Sequence, residues 1–512
     1  MPSRNYTKIE KTIAETGFFS EYLPPCFRLV SSALHHAPPA HCDLIAPYSF
    51  TMSRYNRNDA RRNIYIPEIG SYITARNYIR QENILKELIE FTEEKDVSFS
   101  PILGENDTIM RHEQSYGEEP FSAEDFPSNY IENVAKKIMR STGARKILKL
   151  DISNCFSSFY MHLIPAILLG IDDAEINYNK YLVNSSDGAI NSSYHKYREL
   201  DAIIRRQNQN RTNGLLAGSL YSKIIAEAFL TRIDIELIDA GLNFSRYVDD
   251  YEVYLYDDDD RSVISIFTNI LKRHGLSLNY EKTEIVEFPY YISQNLVKLF
   301  DSFTNGIEVI ETPELMELFN SFAILERNGT KGSLRYLLKT LERKPIVASD
   351  TEVFKAYLIT ILENNERSLT KACSLLIRNR NTMPLTPEER ILIENMLQKH
   401  IAHGHDLEAL WILFLLISTE SLQSNDAIIE KAVGCDNELA QIILLRKGLL
   451  SDSQITQIAS KAKSWILLYE LYADGCITEG EFITKLHLDK NLSMYQHLKQ
   501  GGIHFCTFED TL

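Results

Sequence analysis

The chain has no excess of positive charge. Its 512 residues include 54 Lys and Arg against 70 Asp and Glu, for a formal net charge of −16. Proteins that grip a long nucleic-acid duplex usually present a basic stripe, because neutralising phosphates supplies most of that affinity. The acidic balance therefore argues against extensive duplex contact, although it is compatible with a local basic channel.

Paired cysteines and long apolar runs are also missing. The seven cysteines form no C-x-x-C pair, so neither a zinc site nor a disulfide framework is indicated, and free thiols fit a reducing cytoplasm. Charged residues interrupt the N-terminus where a signal peptide would need an apolar core. The longest apolar run, Ala409 to Ile417, is far shorter than the roughly 20 residues of a membrane span. We expect a cytoplasmic protein without a membrane partner.

What is present is ordinary globular material of 44% hydrophobic residues, long enough for two or three domains. One stretch organises it, from Phe244 to Tyr254. Aromatic and β-branched residues flank Asp249 and Asp250, the pattern of a β-hairpin whose turn carries both acids. Like charges this close raise each other's pKa unless a cation neutralises them. A divalent metal is the simplest remedy.

A second acid ends an upstream segment. Residues 147–151 predict a buried strand that finishes at Asp151 and turns into a helix. If this strand packs beside the hairpin, Asp151 and Asp249 converge and can hold Mg²⁺ ions. Two such ions clamp the attacking and leaving oxygens of a phosphoryl displacement, which is the chemistry of nucleotidyl transfer. An isolated Asp-Asp pair is usually a solvated turn, so the order of the other motifs decides.

That order resembles the reverse transcriptases. A strand ending in an acid is followed by a Gly-rich turn, the hairpin and a Leu-x-Leu-Asn-x-x-Lys-Thr segment. The corresponding motifs A to D are Asp151, Gly214 to Ser219, Tyr247 to Asp250, and Leu276 to Thr283. The resemblance implies an α+β fold of fingers and palm, with an antiparallel palm sheet and helices.

The resemblance also implies a catalytic set of Asp151, Asp249, Asp250 and Lys282. Asp151, Asp249 and Ile152 would hold two Mg²⁺ ions, for which Mn²⁺ can substitute, and Asp250 would assist. Lys282 would protonate the leaving pyrophosphate, a suitable task for an ammonium group. An exposed lysine without a role is the open alternative.

Five residues are candidates for binding the nucleotide. Arg62 stands five residues before Pro67, as in the fingers hairpin of the family, and an arginine fork suits phosphate; a solvated basic turn is the alternative. Phe156, five residues after Asp151, matches the position that excludes a 2′-hydroxyl, although it could be plain core. Arg57, Gly218 and Tyr247 complete the set.

Motif B departs from the family pattern, because Leu216 replaces a proline and Ala217 a residue that is often polar. This departure weakens the expectation of ordinary template handling.

From about residue 305 the pattern predicts helices only. Helix starts occur at Thr312, Ser349, Thr386, Ser451 and Thr478, and the first three are 37 residues apart, near the period of paired-helix solenoids. We expect a fingers-type region over 1–130, a palm over 131–304 and an all-α HEAT-like repeat domain over 305–512 in place of a thumb. The histidines near residues 35–41, and the group His400, His403 and His405, are interpreted as loop residues.

Two further stretches resemble one branch of the reverse transcriptases in particular. Residues 151–162 and 222–227 are similar to segments of bacterial defence-associated reverse transcriptases, and the helical domain is similar to their abortive-infection branch, which is AbiK-type and prophage-borne. The resemblance implies an antiphage DNA polymerase that copies no template and is primed by its own tyrosine. The candidates in the N-terminal segment are Tyr6, Tyr22, Tyr48 and Tyr55.

The implied partners are deoxynucleoside triphosphates, a single-stranded DNA product attached covalently, further copies of the chain in a homo-oligomer, and a phage-derived trigger. Two alternatives stay open. One is a templated RNA-directed DNA polymerase that uses a bound noncoding RNA. The other is a scaffold whose polymerase domain has decayed.

Overall fold

The computed structural model describes residues 4–35, 42–53, 61–104, 107–110, 130–257, 259–291, 295–423 and 426–508. Within these residues the N-terminal region consists of a two-stranded antiparallel ribbon and three helices. Residues 61–66 form a strand. Glu68 then caps the following helix by accepting a hydrogen bond from Ser71 N at 2.7 Å. The elements are α1 (Tyr6–Thr16), β1 (Tyr48–Ser53), β2 (Arg61–Ile66), α2 (Ile69–Gln81) and α3 (Ile84–Thr92).

The middle of the chain builds a four-stranded sheet in the order β4-β5-β3-β6, with every neighbouring pair antiparallel. One face of the sheet is covered by apolar helices, and Leu148, Leu150, Tyr251 and Val253 are buried there. The elements are α4 (Tyr130–Arg140), β3 (Lys146–Asp151), α5 (Cys155–Ser158), α6 (Ala166–Leu169), α7 (Ile171–Val183), α8 (Ser192–Gln207), α9 (Leu220–Asp239), β4 (Phe244–Tyr247), β5 (Asp250–Leu255), α10 (Asp260–Arg273) and β6 (Glu284–Glu287).

The C-terminal part is helical, with one correction. Two strands of two residues each, β7 and β8, pair in parallel, so the expectation of helices only is wrong at that point. The elements are α11 (Leu296–Thr304), β7 (Val309–Ile310), α12 (Thr312–Arg327), α13 (Ser333–Arg343), β8 (Val347–Ala348), α14 (Thr351–Asn364), α15 (Leu369–Arg378), α16 (Pro387–Ala402), α17 (Asp406–Ser418), α18 (Ala427–Gly434), α19 (Glu438–Arg446), α20 (Asp452–Lys461), α21 (Trp465–Ala473), α22 (Glu479–Leu486) and α23 (Leu492–Gln500).

These helices begin where local capping chemistry places them. Full capping boxes start α16 at Thr386, α20 at Ser451 and α22 at Thr478. The cap of α14 is Asp350 rather than the predicted Ser349, because the aspartate carboxylate accepts from two backbone N–H groups, those of Glu352 and Val353. Helix α12 packs on α13, α14 on α15 and α16 on α17, while α13, α15, α17, α19 and α21 contact one another in series.

The helical part packs against the N-terminal region. Trp411 donates from Nε1 to the carbonyl oxygen of Tyr22 at 2.7 Å. Tyr495 donates from its hydroxyl to buried Glu68 at 2.7 Å. Helix α17, which is buried along the whole predicted run from Leu410 to Ile417, lies against β1. None of the helices in the described part of the chain has the length and apolarity needed to traverse a bilayer.

Candidate active site

The sheet register brings the predicted acids together. Asp151 at the end of β3 pairs with Asp250 at the start of β5, and Tyr247 at the end of β4 pairs with the same Asp250. Paired residues on neighbouring strands project from the same face of a sheet. Asp249 occupies the intervening turn, and its carbonyl oxygen accepts from Ile152 N at 3.3 Å. Three carboxylates thus gather at one end of the sheet.

The opposite face of the hairpin holds a compensated charge cluster. Arg246 is fully buried and pairs with two acids of α9. Its Nη2 lies 2.8 Å from Glu227 Oε1 and 2.7 Å from Asp234 Oδ2. The guanidinium thereby satisfies both buried carboxylates, and it also donates from Nη1 to the carbonyl oxygen of Val248 at 3.0 Å. A buried arginine therefore ties the turn that carries Asp249 to α9.

The turn itself is strained and is held from a second side. Val248 has φ +54°, a left-handed conformation that is unfavourable for a β-branched residue. Its N–H donates to Ser100 Oγ at 2.9 Å, and the backbone of residues 97–99 pairs alongside Arg246. Strain of this kind persists only where the surroundings fix it, and it concentrates at functional sites.

Two of the three carboxyl groups have raised pKa values. Burial, followed by the charge of Asp151, raises the pKa of Asp249 above its ordinary range. Burial together with the charges of Asp249 and Asp151 raises the pKa of Asp250 to about 7. The cluster therefore carries more negative charge than its protein surroundings neutralise, which is the condition that a bound cation relieves.

Two residues of motif D contact this cluster. Lys282 donates from Nζ to Asp151 Oδ1 at 2.7 Å. Asn279, which sequence reasoning did not single out, donates from Nδ2 to Asp151 Oδ2 at 2.9 Å, and its backbone N–H bonds the carbonyl oxygen of Asp151 at 2.8 Å. Its position three residues before Lys282 in the same motif was the available signal. Both residues orient Asp151 toward the other acids.

A cavity of about 600 Å³ opens at the acids and collects most of the predicted nucleotide-binding residues. Asp249 and Asp250 line it together with Arg62, Phe156, Gly218 and Tyr247. Arg62 comes from β2 and Phe156 from α5, directly after the Asp151 strand. The predicted Arg57 lies outside the described residues.

Gly218 is required by a close backbone approach. Its φ is +137°, and a Cβ at this position would lie 2.5 Å from the carbonyl oxygen of Tyr65. The neighbouring Ala217 carbonyl oxygen accepts from Tyr65 N at 2.7 Å. The Gly-rich turn is thereby fastened to β2, the strand that carries Arg62.

The tyrosine candidates that the structure describes lie in different surroundings. Tyr22 lines the cavity with Asp249 and Asp250. Tyr6 instead donates to Glu90 at 3.2 Å, and Tyr48 is buried in β1 opposite Ile66, where burial raises its pKa well above the ordinary value. Tyr55 lies outside the described residues.

The helical part contributes a wall that sequence reasoning missed. Arg335, Tyr336 and Lys339, all on α13, line the same cavity as the hairpin acids. Their spacing of one, three and four places them on one helix face, the face beside the buried leucine stripe Leu334, Leu337, Leu338 and Leu341. The leucine spacing in α13 predicts a buried stripe. No pattern within the helix indicates which part of the molecule its polar side would face.

The donor set fits divalent metal ions. Hard cations such as Mg²⁺ prefer carboxylate oxygens and complete their shell with water and phosphate, and here two of three clustered acids have raised pKa values. Asp151, Asp249 and Asp250 would supply carboxylate ligands, whereas Ile152, whose side chain is buried and apolar, could offer only its backbone carbonyl. Arg62 and Lys282 supply positive charge at the edges of the same site.

Comparison with known proteins agrees with this geometry. Residues 95–337 match the family described as reverse transcriptase (RNA-dependent DNA polymerase). The chain therefore contains a reverse transcriptase domain, which is the domain of a nucleotidyltransferase. No curated protein sequence matches the chain.

Solved structures of telomerase are similar to the chain over much of its length. Telomerase from Candida albicans, in complex with a TWJ fragment of telomeric RNA, has 11% identity and a TM-score of 0.29, and the match covers 75% of this chain. Apo telomerase from Candida tropicalis has 11% identity and a TM-score of 0.32, with 79% of this chain and 69% of that chain covered. The chain spans 65% of the length of the first of these telomerases.

Proposed function

We propose that the reverse transcriptase domain of this chain polymerises deoxynucleotides without a template and begins synthesis on a tyrosine of the protein itself. The observation that carries the proposal is the location of Tyr22 in the cavity that holds Asp249 and Asp250. Priming requires a nucleophilic oxygen held near the acceptor phosphate, and such proximity lowers the barrier substantially.

In the proposed first step the phenolic oxygen of Tyr22 attacks the α-phosphorus of a deoxynucleoside triphosphate. A new P–O bond to the tyrosine forms, the bond between the α-phosphorus and the bridging oxygen breaks, and pyrophosphate leaves. Arg62 holds the triphosphate by bidentate hydrogen bonds. Lys282 shifts from Asp151 to give a proton to the pyrophosphate, while the phenolic proton passes to solvent.

Bound Mg²⁺ ions would lower the pKa of the attacking hydroxyl and neutralise charge on the phosphates. Asp151 and Asp249 would hold these ions, with help from Asp250. Asn279 keeps the Asp151 carboxylate oriented through its 2.9 Å hydrogen bond. Phe156 stands beside the sugar and disfavours a 2′-hydroxyl, so the product is DNA.

The absence of a template is supported by charge and shape. The chain is acidic, with a net charge of −16, and α13 contributes side chains to the lining of the cavity. A long duplex would need many phosphate contacts, whereas a growing single strand needs only a narrow basic path. Arg335 and Lys339 of that helix suit the phosphates of the product strand.

The biological role that fits these features is defence against phage by abortive infection. Support comes from the similarity of residues 151–162 and 222–227 to defence-associated reverse transcriptases. The stacked helical pairs would form HEAT-like repeats, whose extended surfaces suit a homo-oligomer or a phage-derived trigger.

One observation favours a templated alternative. The matching family is described as RNA-dependent, and a bound noncoding RNA would serve as the template. Purified protein would then carry RNA and show a high ratio of absorbance at 260 to 280 nm.

The test incubates the purified protein with labelled deoxynucleotides and Mg²⁺, without added template or primer, and resolves it on a denaturing gel before and after protease. We expect label that migrates with the polypeptide and is released by protease. Tyr22→Phe should abolish labelling, whereas Tyr6→Phe, the matched control, should retain it.

Other results would contradict the proposal. Incorporation that appears only after RNA and primer are added would establish templated synthesis. Labelling of the protein at another residue, mapped by mass spectrometry of the nucleotidylated peptide, would retain self-priming and remove Tyr22.

A further inference from the structure

A second cluster of ligand-bearing side chains lies far along the chain from the polymerase acids, where α16 turns into α17. His400 is buried near the end of α16, and His405 immediately precedes α17. Glu366, in the connection between α14 and α15, approaches them from the preceding helix pair. Within the described residues these three form a group whose potential ligand atoms all lie within 4.8 Å of one another.

The distances match the edges of a metal tetrahedron. The Nδ1 atoms of His400 and His405 face each other at 3.1 Å. His405 Nδ1 lies 3.5 Å from Glu366 Oε1. Zinc bonds of about 2.0–2.1 Å at tetrahedral angles place neighbouring ligand atoms about 3.3 Å apart. One cation can therefore contact both ring nitrogens and the carboxylate with small side-chain adjustments.

The local charge favours a cation. Three carboxylates, those of Glu366, Asp406 and Glu408, surround the guanidinium of Arg61, which pairs with Glu408 and lies 3.9 Å from Glu366.

The site is accessible and mechanically connected. A cavity of about 570 Å³ is lined by both histidines and by Asp406, which gives an ion a route to the ring nitrogens. The Asp406 carboxylate accepts from Thr51 N at 2.8 Å, so the turn carrying His405 is fastened to β1. The ribbon partner of β1 is β2, which carries Arg62 at the polymerase cavity.

We propose that Glu366, His400 and His405 bind one Zn²⁺ ion, with water as the fourth ligand, and that this ion fixes the turn between α16 and α17, which Asp406 fastens to β1. Two imidazoles and one carboxylate form a donor set that Zn²⁺ binds in proteins. Mg²⁺ prefers oxygen ligands throughout, so the site is distinct in selectivity from the acids of the hairpin.

The test measures Zn²⁺ binding by competition with a chromophoric chelator, using the full chain stripped of metal and kept in excess Mg²⁺ to fill oxygen sites. We expect one Zn²⁺ per chain. His405→Gln and Glu366→Gln should each weaken Zn²⁺ binding by about tenfold or more. Loss of an outer-shell partner already has an effect of this size, and these two residues are proposed as direct ligands. His403→Gln is the matched control, because His403 is exposed on the same turn and lies outside the ligand group.

Two readouts keep the result independent of polymerase activity. Co²⁺ in place of Zn²⁺ should give visible absorption typical of a tetrahedral site, and Zn²⁺ should raise the thermal midpoint of the wild type and of Asp249→Asn alike. Absence of Zn²⁺ binding, or binding that His405→Gln leaves unchanged in a folded protein, would overturn the proposal and leave the two histidines joined only by a hydrogen bond.

Discussion

Two kinds of acid lie on the two faces of the β4–β5 hairpin. On one face Asp151, Asp249 and Asp250 converge with raised pKa values for the latter two. On the other face Glu227 and Asp234 are more deeply buried, yet Arg246 satisfies both. The neutralised acids hold the turn in place, whereas the acids without sufficient counter-charge favour a bound cation.

The sharpest way to break this comparison is to remove a charge from the open face. Asp249→Asn should reduce nucleotide incorporation by at least about 10³-fold, because several kcal/mol of metal-based charge stabilisation would be lost. The thermal midpoint should stay the same or rise, since one repulsive charge disappears. Single-turnover incorporation and a thermal melt measure the two effects, and robust polymerisation by the folded variant would remove this site from consideration.

Removing the cation from the closed face should have the opposite outcome. Arg246→Met would leave Glu227 and Asp234 unpaired in the interior and cost about 3–5 kcal/mol of unfolding free energy. Urea denaturation measures this loss. Arg273→Met is the control, because Arg273 forms exposed ion pairs with Asp172 and Glu236 that should contribute less than about 1 kcal/mol. Equal losses in the two variants would contradict the assigned supporting role.

A smaller effect is expected at the Gly-rich turn that is fastened to β2. Gly218→Ala introduces a Cβ against the Tyr65 carbonyl oxygen at 2.5 Å and a strained φ of +137°, at a cost of about 1–3 kcal/mol. Displacing β2 should also raise the KM for nucleotide through Arg62. Gly241→Ala is the control, since it has φ +83° but meets no atom within 4 Å. An unchanged KM in Gly218→Ala would separate Arg62 from the nucleotide.

The smallest effect sharpens the electrostatic side of the comparison. Burial and the neighbouring carboxylates raise the pKa of Asp250 from 3.8 to about 7, so the folded protein binds more protons at this carboxyl than the unfolded chain does between these values. Its contribution to metal-free stability is therefore lost as pH rises from about 4 to 7. Asp250→Asn should remove that decline, and Mg²⁺ should stabilise the wild type more at pH 8 than at pH 6. Thermal melts across this range test it; identical profiles for both proteins would contradict it.

Sequence patterns predicted the local features well because their causes are local. The acids of the hairpin, the strand ending at Asp151, the Lys282 motif and three capping boxes each depend on residues within a few positions. The Arg246 cluster escaped notice because its partners lie on another element. Its signal was the spacing of Glu227 and Asp234, which are seven residues apart and therefore lie on one face of α9.

Contacts between distant segments could not be predicted in this way. Arg335 and Lys339 face the polymerase cavity only because the helical part folds back onto the N-terminal region. His400 was interpreted as a loop residue, and Glu366 was not singled out. The two residues meet because successive helix pairs stack. Such contacts depend on how whole elements pack, and no pattern within one element specifies them.

The acids on the open face of the hairpin, Asp151, Asp249 and Asp250, are proposed to bind metal ions together with a nucleotide. Titration of Mn²⁺ into the protein with a nonhydrolysable deoxynucleoside triphosphate, followed by electron paramagnetic resonance of the free ion, counts the ions bound. The account predicts two Mn²⁺ per wild-type site and loss of this binding in Asp249→Asn. Full Mn²⁺ binding by folded Asp249→Asn would contradict the account.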